Sequence, residues 1–334
     1  MSESKQKAAS TSSPVAAVVF YIISFLLLPV MVIGYVIWVV MAFAGRKSGI
    51  SWTAQGPLSA RWFQHKLGTR RDEPSNRLMT ALPGVSPLAL YFVFGPMLLA
   101  HRVSGYVPGT FRYPFEGDIT LQNQASAWQT FYDSVVDRHL KNITQFVILG
   151  AGFDTRAFRL PEDLRVQSFE VDTQKTLGIK RDMLEKTGID SNGVTFVATD
   201  FEKEDWLNRL VEAGFDAEQP ALFLWEGVTP YLDREAVADT LCKIARTARG
   251  SVVAFDYFTT EILKSQALYL RTVRASLSAG GEPLKFGIDS TPPLSARLAE
   301  FLQSCGLTLV EQHTLGQETR GKHAWGGYAL AIVK

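Results

Sequence analysis

The residues best placed to do chemistry stand where an apolar run ends in glycines: "FVILGAGFDTRAFRL", Phe146 to Leu160, drives into Gly150-Ala151-Gly152. Glycines at the carboxyl end of a strand let the backbone approach a ligand, and free N–H groups at the start of a following helix favour negative charge or oxygen acceptors. About twenty residues on, a second apolar run ends in Glu170-Val171-Asp172, where a carboxylate can accept both hydroxyls of a ribose. Together they point to an adenosine-type cofactor at the carboxyl ends of the first two strands. The dinucleotide fingerprint needs a third glycine for close helix packing beneath a pyrophosphate; Thr155 holds that position, and Asp154 would crowd the phosphate charge. A sulfonium cofactor carries positive charge and no phosphate, so an acidic turn suits it better. The chain also lacks a Tyr-x-x-x-Lys pair of the short-chain dehydrogenase kind. A Rossmann-type NAD(P)-dependent oxidoreductase is therefore the second reading.

These residues need a sheet to hold them. From Gln145 onward, short β-branched or aromatic runs alternate with helical segments, the signature of a parallel sheet covered by helices. Candidate strands begin at Phe146, Val166, Val194, Ala221, Ser251, Leu307 and Tyr328. Asp233 is placed to cap a helix whose apolar side is Ala236, Val237, Thr240, Leu241 and Ile244, ending at Gly250. Thr260 to Ser304 is too long for one connection and reads as an inserted pair of helices, broken at Pro292 and Pro293.

The motifs "LGAGFDTRAFRL", "FEVD", "ATDF" and "LWEGVTPYL" follow one another in this chain in the order and spacing of the leucine carboxyl methyltransferase family. From Gln124 to the C-terminus the chain resembles that family, which includes bacterial polyketide carboxyl methyltransferases. The resemblance implies a class I, Rossmann-like α/β fold of seven strands, mostly parallel with the last antiparallel, and S-adenosyl-L-methionine as cofactor. By motif, Gly150, Ala151 and Gly152, with Asp154 beside them, would lie against its methionine part and Asp172 would hold the ribose. Asp200 and Phe201 would meet the adenine. Glu226 would stand near the sulfonium, and Tyr231 could orient the acceptor. Members commonly carry an Arg before an "FFD"-like segment, matched to the cofactor's carboxylate. Here "ASAWQTFYD" places Trp128 and Gln129 there, leaving Arg138 or Lys141 as substitutes. A carboxylate nucleophile, with a pKa of about 4, needs no general base. That agrees with motifs that contain no histidine; a phenol or alcohol acceptor could recruit His139 or His313.

Composition limits the other roles. A formal net charge of +1 gives no global attraction to nucleic acid. The two cysteines, Cys242 and Cys305, fall in helical segments and read as reduced, and the five scattered histidines have no metal-ligand spacing. The segment from Pro14 to Ala44 is uncharged, where about twenty residues suffice to cross a bilayer as a helix. It reads as one membrane span, with a re-entrant segment bent at Pro29 and Gly34 as the competitor. Arg46, Lys47, Arg61, Lys66, Arg70, Arg71 and Arg77 follow it, a basic excess that puts the catalytic domain in the cytoplasm and offers contact with anionic headgroups. A second uncharged run, Leu78 to Ala100, is interrupted by Pro83, Gly84, Pro87, Gly95 and Pro96 and reads as an interfacial element or a lid over the acceptor site. The expected organisation is a disordered tail over 1–13, a membrane anchor over 14–45, a basic and apolar membrane-proximal or lid segment over 46–123, and a methyltransferase domain over 124–334. The expected partners are the membrane and an apolar, lipid-like carboxylate acceptor. A non-catalytic membrane-associated protein that kept the fold is the third reading.

Overall fold

Seven short apolar runs assemble into one sheet because their side chains alternate between two covered faces. The computed structural model describes residues 13–44, 52–83, 85–117, 119–120, 123–161, 163–279, 281–316, 318 and 323–334. Nearly all of the expected disordered tail, together with Arg46, Lys47 and Gly84, lies outside the described residues. In chain order the elements are α1 (Pro14–Leu26), α2 (Leu28–Ala44), α3 (Trp52–Leu67), α4 (Glu73–Ala81), α5 (Pro87–Ser104), α6 (Gln124–His139), β1 (Gln145–Leu149), β2 (Gln167–Asp172), α7 (Gln174–Thr187), β3 (Val194–Ala198), α8 (Trp206–Glu212), β4 (Ala221–Trp225), α9 (Arg234–Ile244), β5 (Val252–Phe258), α10 (Thr260–Lys264), α11 (Leu268–Ala279), α12 (Leu294–Ser304), β6 (Leu307–Leu315) and β7 (Gly326–Val333).

The sheet order is β3-β2-β1-β4-β5-β7-β6, and β7 runs antiparallel to both of its neighbours, β5 and β6. Every residue of β1 and β4 is buried, as expected of central parallel strands with helices on both faces. On β1, Val147 and Leu149 join Trp206 of α8 and Leu241 of α9 on one face, while Phe146 and Ile148 join Phe131 and Val135 of α6 on the other. Order reverses at β1, whose neighbours β2 and β4 lead the chain in opposite directions, and a crevice opens there at the strand ends.

Three local expectations change. The turn after β1 leads not into a helix but into a 3₁₀ turn, Arg156–Arg159, closed off by Pro161. Asp233 holds the N-cap position of α9, but its carboxylate makes no cap bond and faces Lys285 at 3.4 Å. The stretch 260–304 holds three helices, α10, α11 and α12, in place of the expected pair, and the break at Pro292 and Pro293 falls just before α12, the crossover into β6.

The N-terminal third departs most from its reading. In place of one span there are two helices, α1 and α2, bent by 61° at Leu27, and no single described helix is long and apolar enough to cross a membrane. Pro29 supplies the reason: it has no N–H to give the carbonyl of Phe25, and its ring clashes with that carbonyl in a continuous helix. Both helices lie against α5. The Phe20 ring sits 5.3 Å from that of Tyr106, and α2 crosses at Gly34, where a Cβ would come within 2.5 Å of Phe92 Cβ. The outer side of this layer stays apolar, with Phe25 73%, Leu26 70% and Leu88 62% exposed. Helix α3 ties the layer to the sheet. Trp62 and Phe63 are buried with Phe94 of α5, Met183 and Leu184 of α7, and Phe153 of the glycine turn. Each such side chain buried contributes about 1.5–3 kcal/mol, so α3 to α5 share a core with α7 and the glycine turn of the sheet.

Candidate active site

A cavity of about 290 Å³ lies at the carboxyl ends of β1 to β4, near the lower end of small-molecule sites. All nine residues singled out from the sequence line it: Gly150, Ala151, Gly152 and Asp154 after β1, Asp172 at the end of β2, Asp200 and Phe201 after β3, and Glu226 and Tyr231 after β4. Gly150 (φ 65°) needs its conformation and its lack of side chain, since a Cβ there would come 2.3 Å from Val228 Cγ2 in the loop after β4. The Gly150 and Ala151 N–H groups donate to the carbonyl of Val171, which fastens the turn to β2.

Asp172 is held by the same turn. Its Oδ2 accepts from Gly152 N at 2.8 Å and its Oδ1 from Thr173 N at 2.6 Å. Burial raises its carboxyl above the usual range, and these two N–H groups pull against that rise. Asp200 is more open: Lys203 Nζ donates to it at 2.8 Å, and that bond holds its carboxyl below the ordinary value. Beneath the loop after β4, Asp256 accepts from Gly227 N at 2.5 Å and from the Tyr132 hydroxyl at 3.1 Å. Burial pushes Asp256 up to about 7, so a group that fixes this loop is poised near neutrality.

The acids nearest the glycine turn are neutralised from an unexpected direction. Arg61 of α3 donates through Nη2 to Asp154 at 3.2 Å and to Glu226 at 2.9 Å. Arg156 Nη1 donates to the same two carboxylates, and its Nε to Asp133 of α6 at 2.7 Å. Arg70 continues the chain to Asp133 at 2.8 Å and to Asp72, which in turn accepts from Thr155 Oγ1. Burial is the largest single influence on Asp133 and Asp154 and raises both, but it is outweighed by their arginines together, Arg156 with Arg70 on the first and Arg156 with Arg61 on the second, and both stay well below the carboxylate range.

Arg61 and Arg70 had been grouped with a basic surface facing headgroups. They are instead 3% and 2% exposed and belong to this internal network. Sequence reading missed Ala54, Pro57 and Arg61, which fall at i, i+3 and i+7 on one side of α3 and wall the cavity, while Leu58, Trp62 and Phe63 turn to the core. It also missed Glu282, carried by the segment whose Lys285 and Phe286 N–H groups donate to the carbonyl of Pro230. The run 78–100, expected as a possible lid, contributes no described residue to the cavity; α3 takes that place. Neither proposed substitute for the missing arginine reaches the cavity. Arg138 pairs with Glu311 of β6 at 2.7 Å, and Lys141 lines a separate cavity with Arg70, Arg71 and Asp133. Trp128 lies beside the loop after β4, 3.8 Å from where a Cβ on Gly227 would stand.

The donor set fits an adenosine-type cofactor bearing a sulfonium: carboxylates at Asp172 and Asp200 for hydroxyl and amine donors, an acidic turn, and backbone free of side chains at 150 and 152. The family model described as leucine carboxyl methyltransferase matches residues 118–245. Three relatives assigned by name as S-adenosyl-L-methionine-dependent methyltransferases are similar to the chain. One from Saccharopolyspora erythraea is 41% identical over 34% of this chain and 39% of its own. One from Mycolicibacterium smegmatis is 34% identical over 52% and 53%, and one from Frankia alni is 30% identical over 62% and 69%. The chain thus spans about half the length of the relatives it matches.

Proposed function

Since the chain belongs to the leucine carboxyl methyltransferase family, a family of S-adenosylmethionine-dependent methyltransferases, we propose that it methylates the carboxylate of an apolar small molecule at the cavity described above. The observation that carries the reading is the convergence of Gly150, Gly152, Asp172, Asp200 and Glu226, from four strand ends, on one cavity. The cofactor supplies a methyl group made electrophilic by the sulfonium. The chain's part is alignment and exclusion of water: Asp172 holds the ribose, Asp200 and Phe201 the adenine, and Tyr231 orients the acceptor. Holding two reactants in line can contribute roughly 7–11 kcal/mol in favourable systems. No histidine stands among the described lining residues, which favours an acceptor already ionised at neutral pH over an alcohol or phenol. Turnover of long-chain acids should exceed that of the matching alcohols and of short-chain acids by at least about tenfold. Each methylene buried adds roughly 0.8 kcal/mol to binding. Preference for a soluble phenol or amine, or indifference to chain length, would sink the acceptor proposal.

The same reading places α1, α2 and the exposed side of α5 in the bilayer surface, with the sheet in the cytoplasm, as a bent insertion in place of a full crossing. Support comes from the uncharged stretch 14–44 and from its outward Val18, Ile22, Phe25, Ile33 and Val36, each more than half exposed. Replacing Val18, Ile22 and Val36 together by aspartate leaves the buried Phe20 contact intact. That variant should lose most of its co-sedimentation with lipid vesicles while keeping its fold by circular dichroism. Undiminished sedimentation of the folded triple variant would remove these two helices from the interface.

A further inference from the structure

We propose that a second cavity, walled by α6 and the 3₁₀ turn after β1, binds the phosphate group of a phosphate monoester, with Arg159, Arg71 and Lys141 as its receptors. It encloses about 350 Å³ and shares no described lining residue with the candidate active site, so neither the cofactor nor the acceptor reading is needed for it. Among its described lining residues five are cations, Arg70, Arg71, Lys141, Arg156 and Arg159, against the acids Asp133 and Asp137. The five differ in whether their charge is already met.

Arg70 and Arg156 are met. Both are buried and fill Asp133, which accepts from Arg70 Nε at 2.8 Å and Nη2 at 3.2 Å, from Arg156 Nε at 2.7 Å and from the Tyr113 hydroxyl at 2.8 Å. A carboxylate offers about four lone-pair sites, so Asp133 has none left. Asp72 is filled likewise, by Arg70, the Ser75 N–H and the Thr155 hydroxyl. Arg159 finds both acids taken. Its nearest approaches are 3.6 Å to Asp72 and 3.9 Å to Asp133, too long for hydrogen bonds. Its one hydrogen bond among the described residues runs from Nη1 to the Arg71 carbonyl at 3.5 Å. Nη2 donates to nothing among those residues, while the side chain stays 24% exposed beside the cavity it lines. Burial, with Arg70 and Arg156 nearby, holds this guanidinium below the ordinary arginine value, the direction of a cation short of anions. Arg71 and Lys141 stand exposed on the rim, and neither side chain makes a hydrogen bond or ion pair among the described residues. Against these three cations stands only the exposed Asp137, an excess that suits a dianion. A planar guanidinium with open donors matches phosphate oxygens. Val136, Leu140, Leu160 and Leu164 line the remainder, which leaves room for the carbon body of an ester.

Calorimetry on the full chain at about pH 8, where a phosphate monoester with a second pKa of about 6 is a dianion, tests this without turnover. Phenyl phosphate should bind at one site with a dissociation constant below about 1 mM, and phenyl sulfate, its singly charged counterpart, at least about tenfold more weakly. Arg159→Gln, and separately the double variant Arg71→Gln with Lys141→Gln, should each weaken phenyl phosphate by at least about tenfold. The double variant removes only exposed charges, so it decides the matter if the loss of Arg159 disturbs folding. No saturable binding by the wild type, equal affinity for phosphate and sulfate, or wild-type affinity in the folded double variant overturns the proposal. Sedimentation with phosphatidylcholine vesicles carrying phosphatidic acid, against others carrying phosphatidylglycerol, then fixes the source of the phosphate. Loss of a phosphatidic acid preference in the double variant sustains the site as one for a lipid headgroup. No such preference in the wild type, with phenyl phosphate still bound, sustains it as one for a soluble ester.

Discussion

Replacing Asp172 by alanine should weaken binding of S-adenosylhomocysteine by at least about tenfold, with the sheet still folded. Its two oxygens already accept the N–H groups of Gly152 and Thr173, at 2.8 and 2.6 Å. The remaining lone pairs are those a ribose would use. Hydrogen bonds to a charged group are worth about 1.5–3 kcal/mol each. Losing even one to the ligand accounts for the tenfold, and the freed N–H of Gly152 loosens the turn as well. Calorimetric titration of the variant, alongside its far-ultraviolet dichroism, measures the effect. An unchanged dissociation constant in a folded variant would take the ribose away from the end of β2.

The largest stability effect belongs to Arg156. Arg156→Met leaves Asp133 with Arg70, the more distant Arg159 and the Tyr113 hydroxyl, and leaves Arg61 as the one cation paired with Asp154 and Glu226 among the described residues, all in a buried setting. Breaking a buried ion pair on one side costs about 3–5 kcal/mol, which for a chain of this size lowers the thermal midpoint by roughly 4–7 °C. Acid sensitivity should shift too. Asp133 and Asp154 have folded-state values depressed below the ordinary one. The stability they contribute is therefore present above about pH 4 and lost as pH falls through the depressed values. Without Arg156 the depression shrinks, so the variant should begin to unfold at a higher pH than the wild type. A midpoint within about 2 °C of wild type, with the same acid limb, would show the network to be dispensable.

How much of this was legible depends on how local each cause is. The strands could be read because continuous apolar runs such as Phe146–Leu149 or Ala221–Trp225 are written in consecutive residues, and the acids at their ends because a strand end is a local event. The helix expected after Gly152 was not local: Arg156 is drawn inward by Asp133, Asp154 and Glu226, and Pro161 follows before a helix could develop. Arg61 was misread for the same reason. Its partners lie 93 and 165 residues away, and in its own neighbourhood it is one more basic residue after an apolar run. The apolar run itself was read correctly as uncharged; its length favoured one continuous span, and the structure instead bends beside Pro29, where the competing reading had put a break.

Two motifs that look independent in the sequence share one volume. Position 150 leaves no room for a Cβ against Val228, while its left-handed backbone disfavours any side chain even if Val228 were trimmed to alanine. Divergence at the first loop is thus conditional on the second and insufficient even then. A side chain at 150 would therefore be opposed twice, once by the loop after β4 and once by its own backbone, so trimming Val228 removes only one of the two obstacles.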